Sequence, residues 1–118
     1  MKIKKLMKEA NNISREKGFL EYENIIGKMI QGKILSSKEI LEVERAFEAQ
    51  KIMLIVTELS EFIEAHRIDD YENMKEEIAD TFIRLADFSA IHVPDIETVI
   101  RKKINKNRQR SRKHGKQY

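Results

Sequence analysis

The sequence predicts an all-α protein, a bundle of four to five helices. Three observations carry that expectation. Only one Pro and four Gly interrupt 118 residues. Lys, Glu, Ile and Leu, all compatible with helices, dominate. Apolar residues also recur at helical spacing between recognisable caps and stops. A first helix is expected from about Lys2 to Lys17, with Gly18 as its stop. A short amphipathic piece follows from Glu21 to Gln31, closed by Gly32. Ser36 with Glu39 three residues on is a capping box opening a long helix to about His66, whose thirty residues leave room for a break near Phe47 to Gln50. After a polar connector from Arg67 to Glu72, Asn73 and Glu76 form a second such pattern, opening a helix to about Ala90. Val93-Pro94-Asp95 breaks the chain, and Asp95 is the expected N-cap of a last helix from Ile96 to about Arg110. From Ser111 the residues are basic and aperiodic, a tail on what reads as one domain spanning 1–118.

Composition narrows the function classes. Without cysteine, neither a disulfide framework nor a thiolate zinc site is available. The longest apolar run, Ile52 to Val56, is far short of a membrane span. Lysines near the start are followed by Glu9, Asn11 and Asn12 where a signal peptide needs apolar residues, so a cytoplasmic protein is expected. The net charge of +3 conceals a split. Residues 101–118 hold nine Lys or Arg and no acid, which leaves 14 basic against 20 acidic groups, a net of −6, in the first hundred. Such a split suits either a nucleic-acid arm or a cation site paired with an anion site.

The acidic residues are patterned. On a helical wheel Ile52, Ile55, Val56, Leu59, Phe62 and Ile63 form an apolar stripe that reads as core. Leu54, Glu58, Glu61 and Ala65 cluster opposite, so two glutamates at i,i+3 sit between apolar neighbours. The following helix repeats the pattern: Ile78, Phe82, Leu85 and Ala86 make one face, and Glu77, Asp80, Arg84 and Asp87 another. An antiparallel hairpin would bring the acidic pairs face to face, where they repel unless a divalent cation neutralises them. Oxygen ligands of this kind suit Mg²⁺, with Mn²⁺ as the alternative. A solvated face with Arg84 paired to Asp80 accounts for the same spacing. A di-iron centre needs Glu-x-x-His, but Ile63, Ser89 and Ser111 stand three residues before the histidines.

At the basic end, Ile96, Ile100, Lys103 and Asn107 follow the spacing of a buried stripe, and Arg110 lies on the same side. A point charge, an amide and a guanidinium together suit a phosphate chain. A fraying helix end with snorkelling bases is the other reading. Tyr118 is the single aromatic residue after position 100, so nucleic-acid binding lacks a stacking platform here.

Glu58-Leu59-Ser60-Glu61, Glu76-Glu77-Ile78-Ala79-Asp80 and Lys103-Ile104-Asn105-Lys106-Asn107-Arg108 together resemble the MazG-like nucleotide pyrophosphohydrolases of the all-α NTP pyrophosphatase superfamily. That family carries EExxE, a spacer, ExxD and a downstream Lys/Asn element. The run Arg112-Lys113-His114-Gly115-Lys116-Gln117-Tyr118 is similar to its basic ending. The resemblance extends from about Met53 to Tyr118. Thr57 stands where the family has its first Glu, while the positions matching its metal ligands, Glu58 and Glu61, are kept. It implies Mg²⁺-dependent hydrolysis of a (deoxy)nucleoside triphosphate to the monophosphate and pyrophosphate. Glu58, Glu61, Glu77 and Asp80 would hold the metal, and Lys103 and Asn107 would bind phosphate, with Asp87 as a helper. It also implies a homodimer or homotetramer in which a neighbour's helices complete the site. Related dUTPases, dCTPases and phosphoribosyl-ATP pyrophosphohydrolases share such acidic helices, and a non-enzymatic helical nucleic-acid-binding module is the rival from another class.

Overall fold

The computed structural model describes residues 2–32 and 35–110, so the expected basic tail lies outside the described residues. They form five helices and no strand: α1 (Ile3–Glu16), α2 (Tyr22–Gly32), α3 (Ser37–Arg67), α4 (Tyr71–His92) and α5 (Ile96–Arg108). The expected all-α class is what forms. The long third helix runs unbroken through Phe47 to Gln50, because that stretch contains no Gly or Pro.

Each boundary has a local cause. At the end of α1, Gly18 N–H donates to the Arg15 carbonyl at 3.2 Å and Phe19 N–H to that of Ser14 at 3.0 Å, with Gly18 at φ +83°. This is a Schellman turn, which needs a residue without a Cβ. Arg15 then pairs with Glu23 at 2.9 Å and fixes the elbow to α2. The Ser36–Glu39 capping box is formed in both directions, at 3.2 and 3.1 Å. The second expected capping box is not. The cap of α4 is Asp70, whose carboxylate accepts from Asn73 N–H at 3.1 Å, which places Asn73 inside the helix. Asp70 N–H also closes α3 on the Ala65 carbonyl at 2.9 Å, with Asp69 at φ 56° as the left-handed residue. One aspartate thus ends α3 and starts α4, and the connector shrinks to three residues, Ile68 to Asp70.

Helix α4 is the organising element. It packs along α3 on one side and α1 on another, while α2 leans on α3. Met7, Ala10 and Ala86 form the buried cluster, with Ile3, Leu6, Ala90 and Ile96 around it. Alanines at the α1–α4 crossing let the backbones approach closely.

The apolar stripes that the helical wheel marks on α3 and α4 are mostly exposed, with Ile55 and Phe62 half-buried and Ala86 buried. Ile52, Val56, Leu59 and Ile63 are exposed, and so are Ile78, Phe82 and Leu85. The face that α3 buries carries Lys51, Glu58 and Ala65. The face buried on α4 carries Ala86, Asp87 and Ser89. The hairpin turns Lys51, Glu58 and Asp87 inward and leaves most of its apolar stripe residues uncovered among the described residues. The basic stripe is corrected too: Lys103, Asn107 and Arg110 are exposed, and α5 packs through its beginning, at Ile96, rather than along its length.

A polar node locks the inward faces. Lys51 Nζ lies 2.9 Å from Asp87 Oδ2 with both side chains about 10% exposed, and Asn11 Nδ2 donates to Asp87 Oδ1 at 3.1 Å. Three helices meet on one carboxylate. Removing one partner strands a buried charge, so Lys51→Met is expected to cost about 3 kcal/mol in urea unfolding. Adding Asp87→Leu should restore much of that loss. An unchanged midpoint in Lys51→Met would show that the node contributes nothing.

Candidate metal centre

The inward-turned faces of α3 and α4 bring carboxylates together. One oxygen each from Glu58, Glu77 and Asp80 lies within 4.8 Å of the others. Glu58 is buried, Glu77 half-buried and Asp80 exposed, so the cluster runs from the helix interface out to solvent. Helical spacing supplies the pair on α4, and the antiparallel hairpin supplies Glu58 opposite it.

Glu61 is exposed at the edge of this group and within hydrogen-bonding reach of Glu77. Arg84 pairs through Nε with Glu58 Oε1 rather than with Asp80, the i,i+4 partner suggested by spacing. Its guanidinium carbon also lies 5.7 Å from the centre of the Phe19 ring. Thr57 turns its hydroxyl onto the Met53 carbonyl of its own helix at 3.0 Å. Asp87, the expected helper, stands outside the cluster with its carboxylate held by Lys51 and Asn11. The sequence reading missed Asn11 and Lys51. Lys51 had a signal, because it lies seven residues before Glu58 on the same face as Leu54 and Ala65.

The electrostatics of the cluster favour a neutralising charge. Burial, followed by hydrogen bonding to and repulsion from Glu61 and Glu58, pushes the Glu77 carboxyl from its ordinary 4.5 up to about 7. Glu77 Oε2 is buried with no hydrogen-bond donor. Its carboxylate neighbours are acceptors only, so a proton or a cation is what satisfies it. All donors are hard carboxylate oxygens, and no other group of three or more His, Cys, Asp or Glu among the described residues converges in this way. The residues present fit a small hard divalent cation.

A pH signature follows. Between about 4.5 and 7 the folded protein holds a proton on Glu77 that the unfolded chain releases. In the absence of metal this carboxyl therefore makes stability fall as pH rises through that window and level off above it. Thermal melts are expected to show this slope in wild type, to lose it in Glu77→Gln, and to show it weakened by added divalent cation. Equal slopes in wild type and Glu77→Gln would remove Glu77 as the titrating group.

Beside the carboxylates opens a cleft of about 530 Å³ walled by α1, the α1–α2 elbow, α3 and α4; Asp80 and Arg84 line both it and the acidic cluster. Comparison with known proteins now adds one finding. A family model, the MazG nucleotide pyrophosphohydrolase domain, matches residues 45–114. No curated protein and no solved structure matches significantly. The matched span covers more than half of the chain and includes α4, α5, most of α3 and every residue of the carboxylate cluster. The chain belongs to the MazG nucleotide pyrophosphohydrolase family.

Proposed function

We propose that this protein, as a single domain, hydrolyses (deoxy)nucleoside triphosphates to the monophosphate and pyrophosphate with Mg²⁺. Family membership supports nucleotide pyrophosphate hydrolysis in general and implies a divalent metal. The observation that carries the finer reading is the convergence of Glu58, Glu77 and Asp80, together with a buried Glu77 oxygen that no donor satisfies. In this reading those three residues hold the metal, and Glu61 completes the acidic set at its solvent edge. When bound, the cation supplies charge neutralisation of the phosphate chain and favours deprotonation of the attacking water.

The chain's own residues do the rest. Water adds to the α-phosphorus, the bond to the bridging oxygen breaks, and pyrophosphate leaves with that oxygen. Arg84, poised between Glu58 and the cleft, offers a guanidinium to phosphate oxygens. Lys103, Asn107 and Arg110 offer further donors, but α5 does not pack along α3 or α4 of its own chain. They serve the site of a neighbouring copy in a homodimer or homotetramer. The exposed apolar stripes on α3 and α4 support such an assembly. No helix among the described residues is long and apolar enough to cross a membrane. The expected cytoplasmic location goes with the substrate class.

A substrate panel tests the reaction. Phosphate release coupled to inorganic pyrophosphatase, across NTPs and dNTPs with Mg²⁺ or Mn²⁺, should show turnover that chelator abolishes. A strong preference within the panel would mark one of the narrower nucleotide hydrolases. Absent turnover, with salt-sensitive duplex binding, would favour the nucleic-acid module.

A further inference from the structure

The carboxylate cluster has a positive charge supplied by the chain itself. Arg84 donates from Nε to Glu58 Oε1 across the α3–α4 interface, although Asp80 stands one turn before it on its own helix. The choice has an electrostatic cause. Glu58 is the buried member of the three converging carboxylates, and an ionised group removed from water gains most from a partner. Arg84 thus acts as an internal counter-ion on one of the residues that fit a divalent cation.

A cation shared by Glu58, Glu77 and Asp80 draws on that same carboxylate, since their oxygens lie within 4.8 Å of one another. Two positive groups that close repel, and the repulsion is strong where water is excluded. The arginine is the partner that can move: its side chain is about 32% exposed, against 9% for Glu58. It also has a second resting place. The guanidinium carbon lies 5.7 Å from the centre of the Phe19 ring, and Phe19 and Arg84 both line the cleft, with Tyr22 and Phe47 among its other walls. An aromatic face holds a guanidinium without using its N–H groups, which leaves all five donors for phosphate oxygens.

We propose that Arg84 is an exchangeable counter-ion: it gives up Glu58 when the divalent cation binds and moves to the Phe19 side of the cleft, where it receives the phosphate chain. The proposal rests on the metal and triphosphate reading of the carboxylates and adds an order of events to it. Arg84 becomes available to substrate only once the cation is in place. A nucleotide without its cation meets an acidic site whose arginine is already engaged. One side chain therefore has effects of opposite sign, weakening the cation alone and strengthening the phosphate chain. An arginine that only oriented Glu58 as a ligand would strengthen the cation instead.

Titration calorimetry at pH 8, above the Glu77 carboxyl at about 7, reads both signs. Arg84→Gln should bind Mg²⁺ alone about tenfold more tightly than wild type, the low end of the effect of one charge beside a carboxylate. Saturated with Mg²⁺, the same variant should bind inorganic tripolyphosphate about tenfold more weakly, the size of a lost charged hydrogen bond. Arg84→Lys keeps the charge and should bind Mg²⁺ as wild type does. The arginine Nε–H resonances of wild type give a reading that needs no variant. The Arg84 signal should move and broaden into solvent exchange as Mg²⁺ is added, while that of Arg15, which donates to Asn11 at 3.2 Å, stays in place. Weaker or unchanged Mg²⁺ binding in Arg84→Gln, or an Arg84 resonance indifferent to saturating Mg²⁺, would overturn the exchange and leave the hydrolase reading standing. Exchange as expected in a wild type that cleaves no nucleotide would sink the hydrolase reading alone. No binding of Mg²⁺ or Mn²⁺ by wild type would remove both.

Discussion

Asp80→Asn is expected to lower kcat by at least about 100-fold while leaving the helical content unchanged, because groups that only support a metal ligand already cost 10–100-fold. Asp80 is the exposed member of the cluster, so its loss removes a ligand without opening the interface between α3 and α4. Glu61→Gln should also lose turnover, which distinguishes a fourth catalytic carboxylate from a bystander at the edge. Glu77→Gln should behave in an instructive second way. Activity falls, yet the metal-free protein at pH 8 melts higher than wild type. The reason is that a neutral amide replaces a carboxylate set against Glu61 and Glu58. A gain in stability with a loss of activity marks groups held together for function rather than for folding. Wild-type turnover in Asp80→Asn would remove the proposed metal role.

The second large effect concerns assembly. Phe82 on α4 is 63% exposed, and Leu59 on α3 is 45% exposed. Neither is needed for the packing of its own chain, so a charge at either position should leave the monomer folded. If a second copy covers them, each appears twice in a symmetric interface. Phe82→Asp then forfeits roughly 3–6 kcal/mol of burial across the two copies, or about two to four decades in dissociation constant. Light scattering is expected to give a dimer or tetramer for wild type and a monomer for Phe82→Asp, with turnover lost alongside. Mixing Lys103→Ala chains with Asp80→Asn chains should partly restore turnover, because one intact site can form from the two. A strictly monomeric, fully active wild type would defeat both the assembly and the shared site.

Much of the fold was legible in the chain because its determinants are local. Gly18 supplies the positive φ that a Schellman turn requires, and Ser36 with Glu39 forms a capping box from residues three apart. The start of α4 was misplaced for a local reason as well. Asn73 and Asp70 both suit a cap, and only the closure of α3 on Asp70 N–H decides between them. Within the site, i,i+3 spacing put Glu58 near Glu61 and Glu77 near Asp80. It could not show that Glu58 joins Glu77 and Asp80 while Glu61 stands at the edge. Arg84 was visible as a basic residue on the acidic face, but its partner lies 26 residues away on another helix.

The amino-acid order therefore settles the helical class, most helix boundaries and the two i,i+3 acidic pairs, since each depends on contacts within one or two turns. Which face of each helix is inside is decided by packing. Periodicity reports that a helix has an apolar side but not whether its own chain or another copy covers it. In this chain the α3–α4 hairpin turns Lys51, Glu58 and Asp87 inward and Ile52, Leu59, Ile63, Ile78 and Leu85 outward. That choice joins three carboxylates into one candidate cation site, opens the aromatic cleft beside it, and leaves the apolar stripes free for a partner.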